Sequence, residues 1–284
     1  MSIPGLSIIG ESINDSVPST HQLYEEENYA GICELARLQS PRAAYIDVNV
    51  GSRSGAFLAQ MIQKIQECTD RPLSIDTPDP QMAELGLRAY DNTNGKPLLN
   101  SISPLRTEMF SLIQVAAFRP ILLISENIVE GEPVACHTAE ETYAAAKFML
   151  EKAHEVGIET SDCIFDPGIA PIGTDAEGNA KRLLDALEMM KNDPAFDGFH
   201  ASVGLSNFTV MLPSRTGSGA LVKSPLESAF LTLAMPLGLD YVIGSVKRDY
   251  QLLPEDHPAM RCLRDCLAVG GYDSIMRVAE FYQG

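Results

Sequence analysis

The strongest constraint on this chain is a unit that recurs along its length: a short aliphatic run, a polar loop rich in Gly, Pro and Asn, and an amphipathic stretch. Apolar spacing of two that gives way to helical spacing marks a strand followed by a helix. The runs at 6–10, 44–50, 73–76, 98–100, 121–124, 163–166, 200–205 and 241–244 read as strands. The stretches at 25–39, 56–68, 81–90, 108–117, 139–156, 180–191, 226–235 and 259–267 read as helices. Pro80, Pro225 and Pro258 stand just before or at helix starts, where a missing N–H costs nothing because those donors have no partner within the helix.

Eight such units in 284 residues predict an α/β chain folded as a (β/α)8 TIM barrel, a single domain over 1–284 with no linker interrupting the rhythm. A doubly wound open sheet is the main rival, and it usually carries a glycine-rich turn after its first strand. Here that turn reads Gly10-Glu-Ser-Ile-Asn14, and the chain contains neither a GxGxxG nor a Walker motif.

Charge and composition narrow the partners. A formal net charge of -17 argues against nucleic acid, because broad contact with phosphates needs clustered Lys and Arg. The six cysteines lie scattered in apolar or helical contexts, which predicts buried small hydrophobes in a reducing cytoplasm and no disulfide framework. Cys262 and Cys266 share a helix face but lack a second pair with metal-ligand spacing. No Lys or Arg precedes Arg37, so a signal peptide's charged start is missing, and the apolar stretch 229–243 falls short of a membrane span.

In a barrel of this kind the loops after the strands converge on one mouth, so polar residues at strand ends become neighbours. The strand-end set is Glu11 and Asn14, Asp47 and Asn49, Asp76, Asn100, Asp166, and Ser206 with Asn207. Helix caps and turns account for a single Asp or Asn. They account less well for five or six strands ending alike, since Ser, Thr or Gly cap as readily. A ring of carboxylates and carboxamides with little Arg or Lys suits a neutral heterocycle rich in N–H groups, and a pterin presents that kind of edge. Magnesium or calcium is the competing ligand for such oxygens. The five histidines are isolated, with no HExxH, and Gly204-Leu-Ser-Asn207 lacks the second glycine of a nucleophile elbow.

Several segments, taken in order, resemble the folate-dependent corrinoid methyltransferases, the methyltetrahydrofolate:corrinoid protein methyltransferases among the pterin-binding TIM barrels. They are Ile8-Ile-Gly-Glu-Ser-Ile-Asn14, Ile46-Asp-Val-Asn-Val-Gly51, Ser74-Ile-Asp-Thr77, Leu99-Asn-Ser101, Phe165-Asp-Pro167, Val203-Gly-Leu-Ser-Asn207 with Arg215, and the 233–240 segment. The resemblance implies an enzyme that moves a methyl group between N5 of tetrahydrofolate and the cobalt of cobalamin carried by a corrinoid (iron-sulfur) protein. It also implies a homodimer. By resemblance Asp76, Asn100 and Asp166 bind the pterin edge, Gly204 and Ser206 form part of the floor, Arg215 lies near the folate, and Asn207 is the catalytic residue near N5. The family's basic residue after the first glutamate is Ser12 here. A dihydropteroate synthase-like condensing enzyme ranks second, because that family's Ser-Arg-Lys segment near the seventh strand is replaced by Val203-Gly-Leu-Ser-Asn207. A non-catalytic folate-binding barrel is the remaining alternative.

Overall fold

Aliphatic runs of four or five residues hold as strands only where both faces of the sheet are covered, and here helices cover the outside and side chains fill the inside. The computed structural model describes residues 3–283. Its first half runs β1 (Ser7–Asn14), α1 (Pro18–Glu25), α2 (Tyr29–Gln39), β2 (Tyr45–Asn49), α3 (Gly55–Gln66), β3 (Leu73–Asp76), α4 (Pro80–Ala89), β4 (Leu98–Ile102) and β5 (Arg119–Leu123). A two-stranded hairpin of β6 (Glu126–Val129) and β7 (Glu132–Ala135) then precedes α5 (Ala139–Glu155). The second half adds β8 (Ile164–Asp166), α6 (Asn179–Lys191), β9 (His200–Ala201), α7 (Leu205–Phe208), α8 (Lys223–Ala234), β10 (Tyr241–Gly244), α9 (Pro258–Val269) and α10 (Gly271–Gln283).

Eight strands pair in parallel in the order β10-β1-β2-β3-β4-β5-β8-β9. The ends of that sheet meet through two parallel bridges, Ala201 with Leu239 and Gly204 with Ile243, so the sheet curls into the expected (β/α)8 barrel. Ile243 N–H donates to Val203 O at 2.9 Å across this seam.

Alternation along the strands makes two cores. Ile9, Leu98, Ile121, Ile164 and Tyr241 fill the barrel interior, with Tyr45 and Ile243 packed against them. Their neighbours Ile8, Ile46, Leu99, Leu122 and Phe165 face outward into the larger core beneath the helices. Helix α3 answers with Leu58, Met61, Ile62 and Ile65, one face at helical spacing and fully buried. Each such side chain stabilises the fold by on the order of 1.5–3 kcal/mol. At the opposite end from the mouth Arg119 donates to the Tyr241 hydroxyl at 2.8 Å and lies over its ring, and His200 pairs with Asp240 at 2.5 Å.

Four local features differ from the sequence expectation. The stretch 25–39 is not one helix: α1 ends at Glu25, Glu27 takes a positive φ of 49°, and the Asn28 side chain caps α2 by accepting from Gly31 N–H at 2.9 Å. The stretch 108–117 lies largely in a 3-10 helix, Pro104–Gln114, bent at Arg106. The strand expected over 200–205 stops at Ala201 and gives way to helix α7, which with hairpin β6–β7 and helix α10 is an additional element. Cys33 and Cys68 are joined by a disulfide between α2 and the end of α3, with Cα atoms 5.6 Å apart, so these two are not simple buried hydrophobes. Cys136, Cys163, Cys262 and Cys266 are buried and free, as their apolar settings predict.

Candidate active site

Side chains two residues apart share a face of a strand, so the polar strand-end residues continue the inward-facing series begun by the interior apolar core. Glu11 follows Ile9 on β1, Asp47 and Asn49 follow Tyr45 on β2, Asp76 follows Ser74 on β3, Asn100 follows Leu98 on β4, and Asp166 follows Ile164 on β8. The parallel register puts Asp76 directly beside Asn100. The pocket therefore has an apolar base and a polar upper layer.

That layer is hydrogen-bonded across strands. Asp47, 1% exposed, accepts from Ser74 Oγ at 2.6 Å and from Asn100 Nδ2 at 3.4 Å. Asn49 Nδ2 donates to Asp76 at 2.9 Å. Asp166 accepts from Gly168 N–H at 2.8 Å and from Ser202 Oγ at 3.2 Å. Asp76, Asn100 and Asp166 thus stand toward the C-terminal ends of β3, β4 and β8, at the barrel mouth. Asp47 and Asn49 are their immediate supports. The sequence offers Asp47 and Asn49 as support for the barrel mouth and gives no sign of Ser74 or Ser202; counting back two residues from Asp76 finds Ser74.

Burial raises the affinity of these carboxyls for protons. Asp47 is held well above the usual carboxylate range, first by burial and then by the neighbouring Asp76 charge. Asp76 is also raised by burial, against hydrogen bonds from Asn49 and Asp47. Of the two, Asp47 is the more strongly raised, because it is the more deeply buried and the Asp76 charge opposes its ionisation. Burial pushes Asp166 up to about 6, opposed by the Gly168 N–H, Ser202 and the Arg182 charge. Glu11 is raised by burial against its hydrogen bond from Ser206.

Beyond β9, one-turn helix α7 carries two more predicted positions, Ser206 and Asn207, with Gly204 just before it. Leu205 and Phe208 point into the core, leaving Ser206 partly buried and Asn207 exposed. Ser206 donates to Glu11, which ties α7 to β1 across the barrel seam. The Asn207 carboxamide folds over Gly204, where an added Cβ would lie 2.9 Å from Nδ2. Arg215 stands apart. It is exposed in a loop and donates to Gly219 O at 2.7 Å within that loop, bonding none of the strand-end residues. A cavity of about 280 Å³ opens beside Glu11, lined by Ser12, Asn14, Ser19, Ser245 and Lys247 among others.

Carboxyls and carboxamides arranged this way can accept from an amidine-like edge and exchange mixed hydrogen bonds with a lactam. The sequence of residues 38–244 matches the family described as pterin-binding enzymes. The chain is a member of the pterin-binding enzyme family. The match spans Asp76, Asn100, Asp166, Gly204, Ser206, Asn207 and Arg215, and leaves Glu11 and Asn14 outside it. This pterin-binding enzyme is also 27% identical over 248 residues to the methylcorrinoid:tetrahydrofolate methyltransferase of Eubacterium limosum, covering 83% of each chain. Its fold is shared by dihydropteroate synthases: that of Xanthomonas albilineans (TM-score 0.56, 18% identity, 84% of this chain and 86% of that one) and that of Burkholderia cenocepacia (TM-score 0.54, 16% identity, 86% of each).

Proposed function

We propose that this pterin-binding enzyme moves a methyl group between N5 of tetrahydrofolate and the cobalt of cobalamin carried by a corrinoid protein. The observation that carries the reading is Asn207. Among the described residues its carboxamide makes no hydrogen bond to the rest of the protein, and it stands exposed at the mouth that Asp76, Asn100 and Asp166 line. The likeness to the methylcorrinoid:tetrahydrofolate methyltransferase supports the same chemistry.

In this reading Asp76, Asn100 and Asp166 hold the pterin edge, and Gly204 and Ser206 shape the floor. A methyl-bearing N5 leaves poorly as an amide-like anion, so it must gain a proton as the carbon–nitrogen bond breaks and the carbon–cobalt bond forms. With methyltetrahydrofolate as donor, the reduced cobalt supplies the electron pair of the new bond, the carbon–nitrogen pair stays on N5, and water supplies the proton; transfer back to N5 returns the proton to water and the pair to cobalt. Asn207 cannot ionise; its hydrogen bond to N5 strengthens as charge develops there, which lowers the barrier by electrostatic stabilisation. The rest of the barrier falls to in-line alignment of methyl and cobalt. The partner is a corrinoid protein, for which resemblance supports an iron-sulfur type, and it docks over the open mouth. Resemblance likewise supports a homodimer.

Calorimetry with methyltetrahydrofolate, followed by methyl transfer to a reduced corrinoid, tests the reading. Asn207→Ala should lower transfer at least roughly 10-fold while folate affinity falls less. No binding of methyltetrahydrofolate by the unaltered protein, or unchanged turnover in Asn207→Ala, would overturn it.

A further inference from the structure

A four-residue helix cannot hold its own geometry, because one turn fixes several dihedrals for a single hydrogen bond. Helix α7 has no side-chain cap at Gly204, yet it sets the position of Asn207. Two tethers bracket that residue. On one side Ser206 donates to Glu11; on the other, two positions beyond Asn207, the Thr209 hydroxyl donates to Oε1 of Glu227 on α8. Both Thr209 and Glu227 are fully buried, beside the packed rings of Phe208 and Phe230 at 5.1 Å. Neither can touch a substrate.

Glu227 is an expensive residue for such a place. Its second oxygen has no hydrogen-bond partner, and the nearest cation, Arg248, keeps its Nε 3.5 Å away. The Tyr250 hydroxyl is also buried and unpartnered, and its proton affinity is raised first by burial and then by the Glu227 charge. Burial holds the Glu227 carboxyl above its ordinary range, against Thr209 and Arg248. An apolar side chain of similar size would commonly be as stable or more so at such a site. Stability therefore gives no reason for a carboxyl here, whereas orientation of the turn above it does.

We propose that Thr209 and Glu227 are positioning residues for Asn207, fixing the turn that presents its carboxamide to N5. The inference rests on the methyl-transfer reading. Asn207 acts only where the turn puts it, and a displacement on the order of 1 Å can cost up to 100-fold in rate.

A double-mutant cycle tests this, with Thr209→Val and Thr209→Ser made in the unaltered protein and Thr209→Val also made in Asn207→Ala. Thr209→Val should lower kcat for methyl transfer roughly 10-fold with KM for methyltetrahydrofolate changed less than about twofold. Thr209→Ser should recover most of that loss. In the Asn207→Ala background Thr209→Val should cost nothing further, because the group it positions is gone. Losses that multiply across the two sites, or a Thr209→Val enzyme with full kcat, would overturn the proposal. Should Thr209→Val fail to fold, the pair Thr209→Val with Glu227→Leu, which removes both polar partners together, is measured in its place against the same outcomes. An unaltered protein that transfers no methyl group would instead sink the methyl-transfer reading itself.

Discussion

Ser74 donates a 2.6 Å hydrogen bond to Asp47 from the position on β3 two residues before Asp76. One hydroxyl thereby anchors the inner of two buried carboxyls, and the outer one, Asp76, is left with the Asn49 amide and an open side. Their hydrogen bonds separate their positions: Asp47 is held from two other strands, and Asp76 faces the mouth.

Asp47→Asn should leave the fold intact and change its pH response. The Asp47 carboxyl is raised in the folded state, so its contribution to stability is present below the ordinary carboxylate range and is lost as pH rises through its folded value. The variant cannot ionise. Its Tm relative to the unaltered protein should therefore climb as pH increases, and a constant difference from pH 5 to 9 would contradict the assignment.

Asp166 gives a prediction with a number. Its rise to about 6 from the usual 3.8 corresponds to roughly 3 kcal/mol of stability that is present below pH 3.8 and lost as pH rises through 6. Asp166→Asn should gain in Tm over the unaltered protein between pH 4 and pH 7, by thermal unfolding. It should also bind methyltetrahydrofolate roughly 10- to 100-fold more weakly at pH 7, because a carboxamide offers one accepting oxygen and turns a donating NH2 where a carboxylate offers a second oxygen. In the unaltered protein folate affinity should fall as pH drops below 6. Equal binding by the variant would remove Asp166 from the pocket.

Gly204→Ala places a methyl group 2.9 Å from the Asn207 amide nitrogen, and the side chain must swing away. Since Gly204 has a φ of -72°, the backbone itself accepts alanine. Turnover should drop roughly 10-fold with Tm nearly unchanged. Wild-type kcat would show that Asn207 acts from another position.

The Cys33–Cys68 disulfide closes a loop of 35 residues between α2 and α3. Its loss by Cys33→Ser should cost about 2–4 kcal/mol of stability, measured by denaturant unfolding without reductant. Under denaturing conditions thiol titration should count four free groups in the unaltered protein, two fewer than after reduction. Six thiols without reductant would exclude the bond.

All eight barrel strands were legible because the signals that write a strand are local: alternation, β-branched residues and Gly or Pro at the ends. Most of the helices followed from their apolar faces in the same way. The break at Asn28 was not legible, since a cap and a mid-helix asparagine differ only in which backbone N–H the side chain finds. The apolar spacing after Pro104 fits an α-helix and a 3-10 helix alike over three turns, so it does not tell them apart. Hairpin β6–β7 had no strong alternation, and its residues are largely exposed.

By itself the sequence determined which residues end the strands, hence that Asp76, Asn100 and Asp166 face one mouth, because parallel strands in a barrel put their C-terminal ends on the same side. Only the tertiary structure decided how they divide the work. Whether Asp47 is ligand or support depends on Ser74 and Asn100 reaching it from two other strands. Whether Arg215 joins the pocket depends on a loop that turns it to Gly219. The pairing of Cys33 with Cys68, and of Thr209 with Glu227, rests on helices packing against one another. Backbone periodicity is carried by near neighbours in the chain, whereas hydrogen bonds, proton affinity and burial depend on atoms that only packing brings within 3 Å.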